Sequence, residues 1–181
     1  MIVKQFEIKN LLLLHVRQFT DDRGLFFESY NDKNYATYLG EEIDFVQDNL
    51  SISKKNVLRG LHFQSPPFAQ GKLVSVLKGS VLDVAVDLRK ESVTYGKHVM
   101  VELNALNGYQ FWIPPGFAHG FLSLEDETIF SYKCTNYYSP SHEHTLLWDD
   151  VDLDINWPVK NPLISKKDAI GLNFITFETP F

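Results

Sequence analysis

"KLVSVLKGSVLDVAVDL", residues 72–88, decides the architecture. Apolar and polar residues alternate on both sides of Lys78-Gly79-Ser80, which predicts two strands joined there as a hairpin. Side chains along a strand point alternately to opposite faces. In the second strand Leu82, Val84, Val86 and Leu88 therefore form a wholly apolar face, and Val81, Asp83, Ala85 and Asp87 form the other. Two carboxylates sharing a face with Val and Ala predict a partly enclosed polar interior.

The same short alternation extends outward from this pair. Upstream, "DFVQDNLSIS" (44–53) and "NVLRGLHFQ" (56–64) read as strands. Downstream, so do "KHVMVEL" (97–103), "YQFWIP" (109–114), "AHGFLSL" (118–124) and "TIFSYKCTNYY" (128–138). The N-terminus supplies two more strand-like pieces. "NDKNYATYLG" (31–40) is the exception: Asn31 caps, Tyr35, Tyr38 and Leu39 share a face, and Gly40 stops a short helix. About ten short strands with Gly and Pro turns predict an all-β sandwich or jelly-roll barrel. The segment after Pro140 has isolated aromatics and no periodicity, and is expected to wrap the barrel, with Trp148 and Trp157 as packing residues. No repeat or linker interrupts the 181 residues, so one domain over 1–181 is expected.

Composition narrows the function classes. The net charge is -6 with both signs dispersed, which argues against a nucleic-acid or membrane surface as the main partner. Cys134 is the only cysteine, so no intramolecular disulfide is possible and a reducing cytoplasm is expected. The four-leucine run at 11–14 is too short for a secretory h-region or a membrane span.

"LRGLHFQSPPFAQGKLV" (58–74) is expected to cluster Arg59, His62 and Lys72 within one hairpin, with Asp83 on the next strand. His119 follows at a Pro/Gly turn and Tyr132 lies in a later strand. A lone strand histidine is usually a hydrogen-bonded core residue. Several ionisable groups converging on one interior are costly to bury, and so point to a site. "IPPGFAHGF" (113–121) contains the P-x-G-x-x-H half-signature of cupins, the small jelly-roll barrels that often hold a metal. Metal-binding cupins carry H-x-H and a Glu in the first half, where this chain reads His62-Phe63-Gln64, then Gln70 and Lys72. Two imidazoles beside a lysine make a poor ligand set for a first-row metal, so none is expected. A neutral histidine can take a proton near pH 7, a lysine can stabilise charge forming on oxygen, and a tyrosine can return a proton from elsewhere. Together they suit proton abstraction α to a carbonyl followed by reprotonation on the opposite face. No G-x-S-x-G, G-x-G-x-x-G or P-loop is present, which leaves chemistry without a cofactor.

With these residues in view, "DDRGLFFESY", "QDNLSIS", "LRGLHFQSPPFAQGKLV", "GSVLDVAVDLRKESVTYG", "IPPGFAHGFLSL", "YKCTNYYSP" and "SKKDA" are similar, in order, to the bacterial dTDP-4-dehydrorhamnose 3,5-epimerases. The resemblance implies a cofactor-independent cupin-fold homodimer that inverts C3 and C5 of dTDP-4-dehydro-6-deoxy-D-glucose in dTDP-L-rhamnose biosynthesis. It makes His62 the proton acceptor, Tyr132 the donor and Lys72 the holder of the C4 enolate oxygen. Asp168 is the first candidate to orient His62, with Asp83 as runner-up from strand geometry. Arg23 and Arg59 would bind the diphosphate, whose oxygens match guanidinium forks. A turn-closing ion pair within "DDRG" is the alternative for Arg23. Glu28, Gln47, Asp48 and Asn49 would contact nucleoside or sugar, His119 would line the sugar pocket, and Glu143 and Lys167 would bind substrate. Phe19 and Phe26 would flank the base, packing being the alternative for each. The family more often has a glycine soon after Glu143, and His144-Thr145 depart from that. Dimerisation with exchanged N-terminal strands is implied as well, so that Arg23 serves the partner's site. Relatives that invert one centre, a non-catalytic sugar-nucleotide binding module and a metal cupin are the rival readings.

Overall fold

The computed structural model describes residues 1–181. In chain order it contains β1 (Ile2–Gln5), β2 (Leu12–His15), β3 (Gln18–Asp21), β4 (Gly24–Phe27), α1 (Asp32–Leu39), β5 (Gln47–Ser53), β6 (Leu58–Gln64) and β7 (Lys72–Lys78). These are followed by β8 (Ser80–Asp87), β9 (His98–Asn104), β10 (Tyr109–Ile113), β11 (Phe117–Ser123), β12 (Thr128–Cys134) and β13 (Glu143–Thr145). Two antiparallel sheets face each other: β1-β2-β10-β7-β12-β5, and β13-β6-β11-β8-β9. They are hydrogen-bonded separately and are not closed into one continuous barrel. A third pair, β3-β4, stands apart from both.

Two pairing expectations are corrected: β6 and β7, read as one hairpin carrying Arg59, His62 and Lys72, lie in different sheets, and so do the strands of 72–88. Residues 72–88 do form two strands, but these strands do not pair with each other: β7 lies between β10 and β12, and β8 between β11 and β9. Gly79, at φ +78°, carries the chain from one sheet to the other, and a Cβ there would meet Thr128 Oγ1 at 2.5 Å. Alternation specifies which way side chains face. It does not specify which strand accepts the backbone hydrogen bonds, and here more distant strands do so.

The faces follow the alternation. Val81 and Ala85 of β8 enter the core between the sheets with Val74, Phe111, Phe121 and Phe130. Val84, Val86 and Leu88 face the other way, where Leu146, Leu153 and Trp157 cover them. The C-terminal segment thus wraps the five-stranded sheet, and the Trp157 indole N–H donates to Trp148 O at 2.8 Å. Helix α1 is capped as expected, with the Asn31 side chain accepting from the Asn34 N–H and the Gly40 N–H donating to Ala36 O. It packs Tyr35 against Leu14, Leu73 and Trp112 on the outer face of the six-stranded sheet. Tyr38 departs from expectation and stays 40% exposed, because so short a helix covers the sheet only along the Tyr35–Leu39 line.

At the end of β8 the fully buried Asp87 accepts from Arg89 Nε (2.8 Å) and Nη2 (2.7 Å), and from the Ser92 and Thr94 hydroxyls (2.7 Å each). Burial alone would raise its carboxyl, but these donors outweigh burial and hold the pKa at about 2. A folded pKa below the unfolded value of 3.8 stabilises the fold above pH 3.8, and the effect is lost as pH falls through about 2. Asp87→Asn is therefore expected to lower unfolding free energy at pH 7 by about 2 kcal/mol. In urea titrations the gap to wild type should close below pH 2.

Candidate active site

The site is assembled from positions that alternation turns inward. On β5 these are Gln47, Asn49 and Ser51; on β12 and β7 they are Tyr132 and Lys72; on β6 and β11 they are His62 and His119. Cross-strand register aligns Gln47, Cys134 and Lys72 in one row and Asn49, Tyr132 and Val74 in the next. In the opposite sheet Thr145, His62 and His119 stand side by side. Arg59 and His62 are three residues apart, so a regular strand would send them to opposite faces. Gly60 removes the conflict. Its φ is +130°, a Cβ there would come within 2.5 Å of Gly120 Cα, and the β6–β11 register slips at that point. Both side chains then reach the same cavity.

His62 and Tyr132 come from facing sheets and line one cleft. It has two lobes, of about 290 and 320 Å³, which share His62, Lys72, Tyr132, Tyr138 and Glu143. His62 Nε2 lies 2.7 Å from Asp168 Oδ1. With that nitrogen donating to the carboxylate, Nδ1 is the ring position left to accept a proton. Asp168 is buried on a 3₁₀ turn, Asp168–Ile170. Burial would raise its carboxyl, but hydrogen bonds from His62, the Gly60 N–H and Ser165 overcome this and keep it below the ordinary value. Asp83, the strand-geometry runner-up, does not orient His62. It is wholly buried on β8, with β11 between it and β6, and pairs with His119 Nε2 at 3.0 Å.

The Lys72 ammonium lies 6.0 Å from the centroid of the Tyr132 ring. Burial pushes the Lys72 pKa down, opposed by the nearby Cys134, Asp83 and Glu143. Burial likewise pushes Tyr132 up, with Cys134 and Glu143 adding to it, so the phenol keeps its proton. Glu143 accepts from the Tyr138 hydroxyl at 2.6 Å and pairs with Lys167. No three His, Cys, Asp or Glu side chains converge as a metal's ligands would.

The family model for dTDP-4-dehydrorhamnose 3,5-epimerase matches residues 5–175. The chain belongs to that family. It is 51% identical over 175 residues to the dTDP-4-dehydrorhamnose 3,5-epimerase of Shigella flexneri, covering 97% of each chain. Among solved structures, the Legionella pneumophila dTDP-6-deoxy-D-glucose-3,5-epimerase in complex with dTDP-4-keto-L-rhamnose superposes with a TM-score of 0.94. That pair is 46% identical, covering 98% of this chain and 94% of the other. A 3'-monoepimerase from Streptomyces bikiniensis in complex with dTDP-quinovose has a TM-score of 0.90 at 30% identity, covering 94% of this chain and 87% of its own.

The cleft gathers most of the residues expected on family grounds. His62, Lys72, Tyr132, Arg59, His119, Gln47, Asn49, Glu143, Lys167 and Asp168 all line it. Asp48 does not. It is the outward residue between Gln47 and Asn49, 68% exposed, and pairs with Lys133 at 2.9 Å. Arg23, Phe26 and Glu28 also lie outside this chain's cleft. Arg23 forms the turn-closing ion pair with Asp21 at 2.5 Å, its side chain 90% exposed. Phe26 is exposed on β4, its ring 6.4 Å from that of Phe19. Glu28 accepts from the Asn31 and Asn34 amides at the start of α1. The departure at His144-Thr145 builds β13, with His144 stacked on Phe63 at 5.2 Å and Thr145 facing His62.

Sequence reasoning missed Tyr138, which is half-exposed yet borders both lobes. The strand read over 128–138 ends at Cys134, so Tyr138 lies beyond it, where alternation no longer sets which way a side chain faces. The available signal was a tyrosine pair followed by Ser-Pro just beyond a site strand.

Proposed function

We propose that the protein is a cofactor-independent 3,5-epimerase that converts dTDP-4-dehydro-6-deoxy-D-glucose to dTDP-4-dehydro-L-rhamnose. The observation that carries this reading is the pairing of a carboxylate-oriented imidazole with a protonated phenol from the facing sheet, with the Lys72 ammonium in the same cleft.

Hydrogens on C3 and C5 are acidic because the C4 ketone delocalises the carbanion as an enolate. His62 takes the proton, with Asp168 fixing the ring and balancing the imidazolium that forms. Lys72 stabilises the enolate oxygen in a cleft where water is scarce and fixed charge acts strongly. Tyr132 then gives its hydroxyl proton to the other face of the carbon, which inverts the centre. The imidazolium returns its proton to solvent and the phenolate takes one back, so the chemistry at each centre is proton-neutral. Arg59, Gln47, Asn49, His119, Glu143 and Lys167 bind the sugar nucleotide.

Arg23, Phe26 and Glu28 serve the cleft of a second copy in a homodimer with exchanged N-terminal strands. The β3-β4 pair outside both sheets and exposed Phe19 and Phe26 support this, as do Leu50 and Ile52 exposed on edge strand β5. No helix is long and apolar enough to cross a membrane, and the lone Cys134 suits the cytoplasm where sugar nucleotides are made.

The test is product identity. Purified protein incubated with dTDP-4-dehydro-6-deoxy-D-glucose should yield the sugar inverted at both C3 and C5 by NMR. Inversion at one centre would place the chain with the monoepimerases, whose fold it shares. Unchanged substrate would overturn the reading.

A further inference from the structure

The position corresponding to the second histidine of a metal cupin's H-x-H is Gln64, which the mechanism leaves without a role. It is only 4% exposed, on the inner face of β6 two residues beyond His62. Its Nε2 donates to Phe68 O at 2.6 Å and Tyr137 O at 3.1 Å, and its Oε1 accepts from the Ser139 N–H at 2.7 Å. One buried amide thus ties the 65–70 connection to the segment that carries Tyr138.

Beyond these bonds, Asn136 Nδ2 donates to Pro67 O at 3.1 Å and the Tyr138 hydroxyl to Glu143 at 2.6 Å, so the ring's tip is held by Glu143 and its backbone by amides. Neither Tyr137 nor Tyr138 takes part in a backbone–backbone hydrogen bond. The Tyr138 N–H donates to Gln47 Oε1 at 2.9 Å, and Gln70 Nε2 donates to Asn136 O at 2.7 Å. Three glutamine side chains do for Asn136–Ser139 what a sheet ladder does for a strand, and Gln64 holds it on both sides of Tyr138. A primary amide suits this task because one planar group offers two donors and an acceptor. Buried, it is costly to leave any of them unmade.

We propose that Gln64 is a positioning residue that sets Tyr138 across the mouth of the cleft, so that it governs substrate affinity while leaving the proton transfers alone. The inference rests on the epimerase reading for its kinetic consequence. The clamp itself can be read without substrate.

Gln64→Met keeps the length and burial of the side chain and removes all three hydrogen bonds. Amide hydrogen exchange at Ser139, whose N–H loses its acceptor, should accelerate at least about tenfold, and Tyr138, still paired to Gln47 but on a loosened segment, should follow by local opening, with strands β6 and β12 protected as in wild type. KM should rise about tenfold and kcat stay within about threefold, the pattern of lost uniform binding. Combined with Tyr138→Ala, Gln64→Met should add less than about twofold to KM, because the clamp acts through that ring. Gln70→Met, which frees only Asn136 O, gives a smaller rise of the same kind and serves if Gln64→Met does not fold. Wild-type exchange at Tyr138 and Ser139 would overturn the clamp. So would a loss confined to kcat, or an undiminished effect in the Tyr138→Ala background. If wild type itself turns over no substrate, the epimerase reading fails, and the exchange measurement still decides the clamp.

Discussion

His62→Asn is expected to lower kcat for epimerisation by about 10²–10⁴-fold, the contribution typical of a positioned general base. Asparagine can still donate to Asp168, so the buried carboxylate keeps a partner and the substitution tests basicity more than packing. Of the two cleft imidazoles that hold a carboxylate on Nε2, His62 is the more open to the cleft, its side chain 28% exposed against 8% for His119. Circular dichroism and thermal melting should match wild type closely, and substrate KM should change little. Turnover within a few-fold of wild type would remove His62 from the mechanism.

Tyr132→Phe should uncouple exchange from inversion. His62 and Lys72 remain, so the carbanion still forms and the imidazolium can return a proton to the face it came from. Incubated in D₂O, the variant should put deuterium into recovered substrate of unchanged configuration, while inverted product falls by orders of magnitude. The hydroxyl has no hydrogen-bond partner within the chain, and burial raises its pKa, so its removal strands no buried polar group. Inversion persisting at the wild-type rate would mean that another donor serves that face.

How much of this was readable from the sequence follows from what is local. The inward face of β8, the caps of α1 and the inner positions of β5 come from periods of 2.0 and 3.6 within a few residues. By the same period Asp48 had to point away from Gln47 and Asn49. Treating the three as one stretch ignored the pleat, and the structure pairs Asp48 with Lys133 at the surface. Non-local facts were not readable. The turn at Gly79 looks like a hairpin because turn chemistry reports a reversal, while the choice of β10 and β12 as partners of β7 depends on chain far away. Asp168 stands 106 residues from His62, and only the family resemblance brought it forward over Asp83, which is nearer in sequence. The irregularity at Gly60 that turns both Arg59 and His62 inward, and the glutamine clamp on Tyr138, depend on close backbone approaches that no pattern of residue types announces.

The central claim is that one cleft removes a proton beside a ketone with an imidazole and restores one from the opposite face with a phenol. Turnover of dTDP-4-dehydro-6-deoxy-D-glucose by the wild-type protein in D₂O tests it most directly, with label read carbon by carbon in the product. The expected result is one solvent deuterium at each inverted carbon, C3 and C5, and none at C2. Inverted product that keeps its original hydrogens would contradict proton exchange altogether.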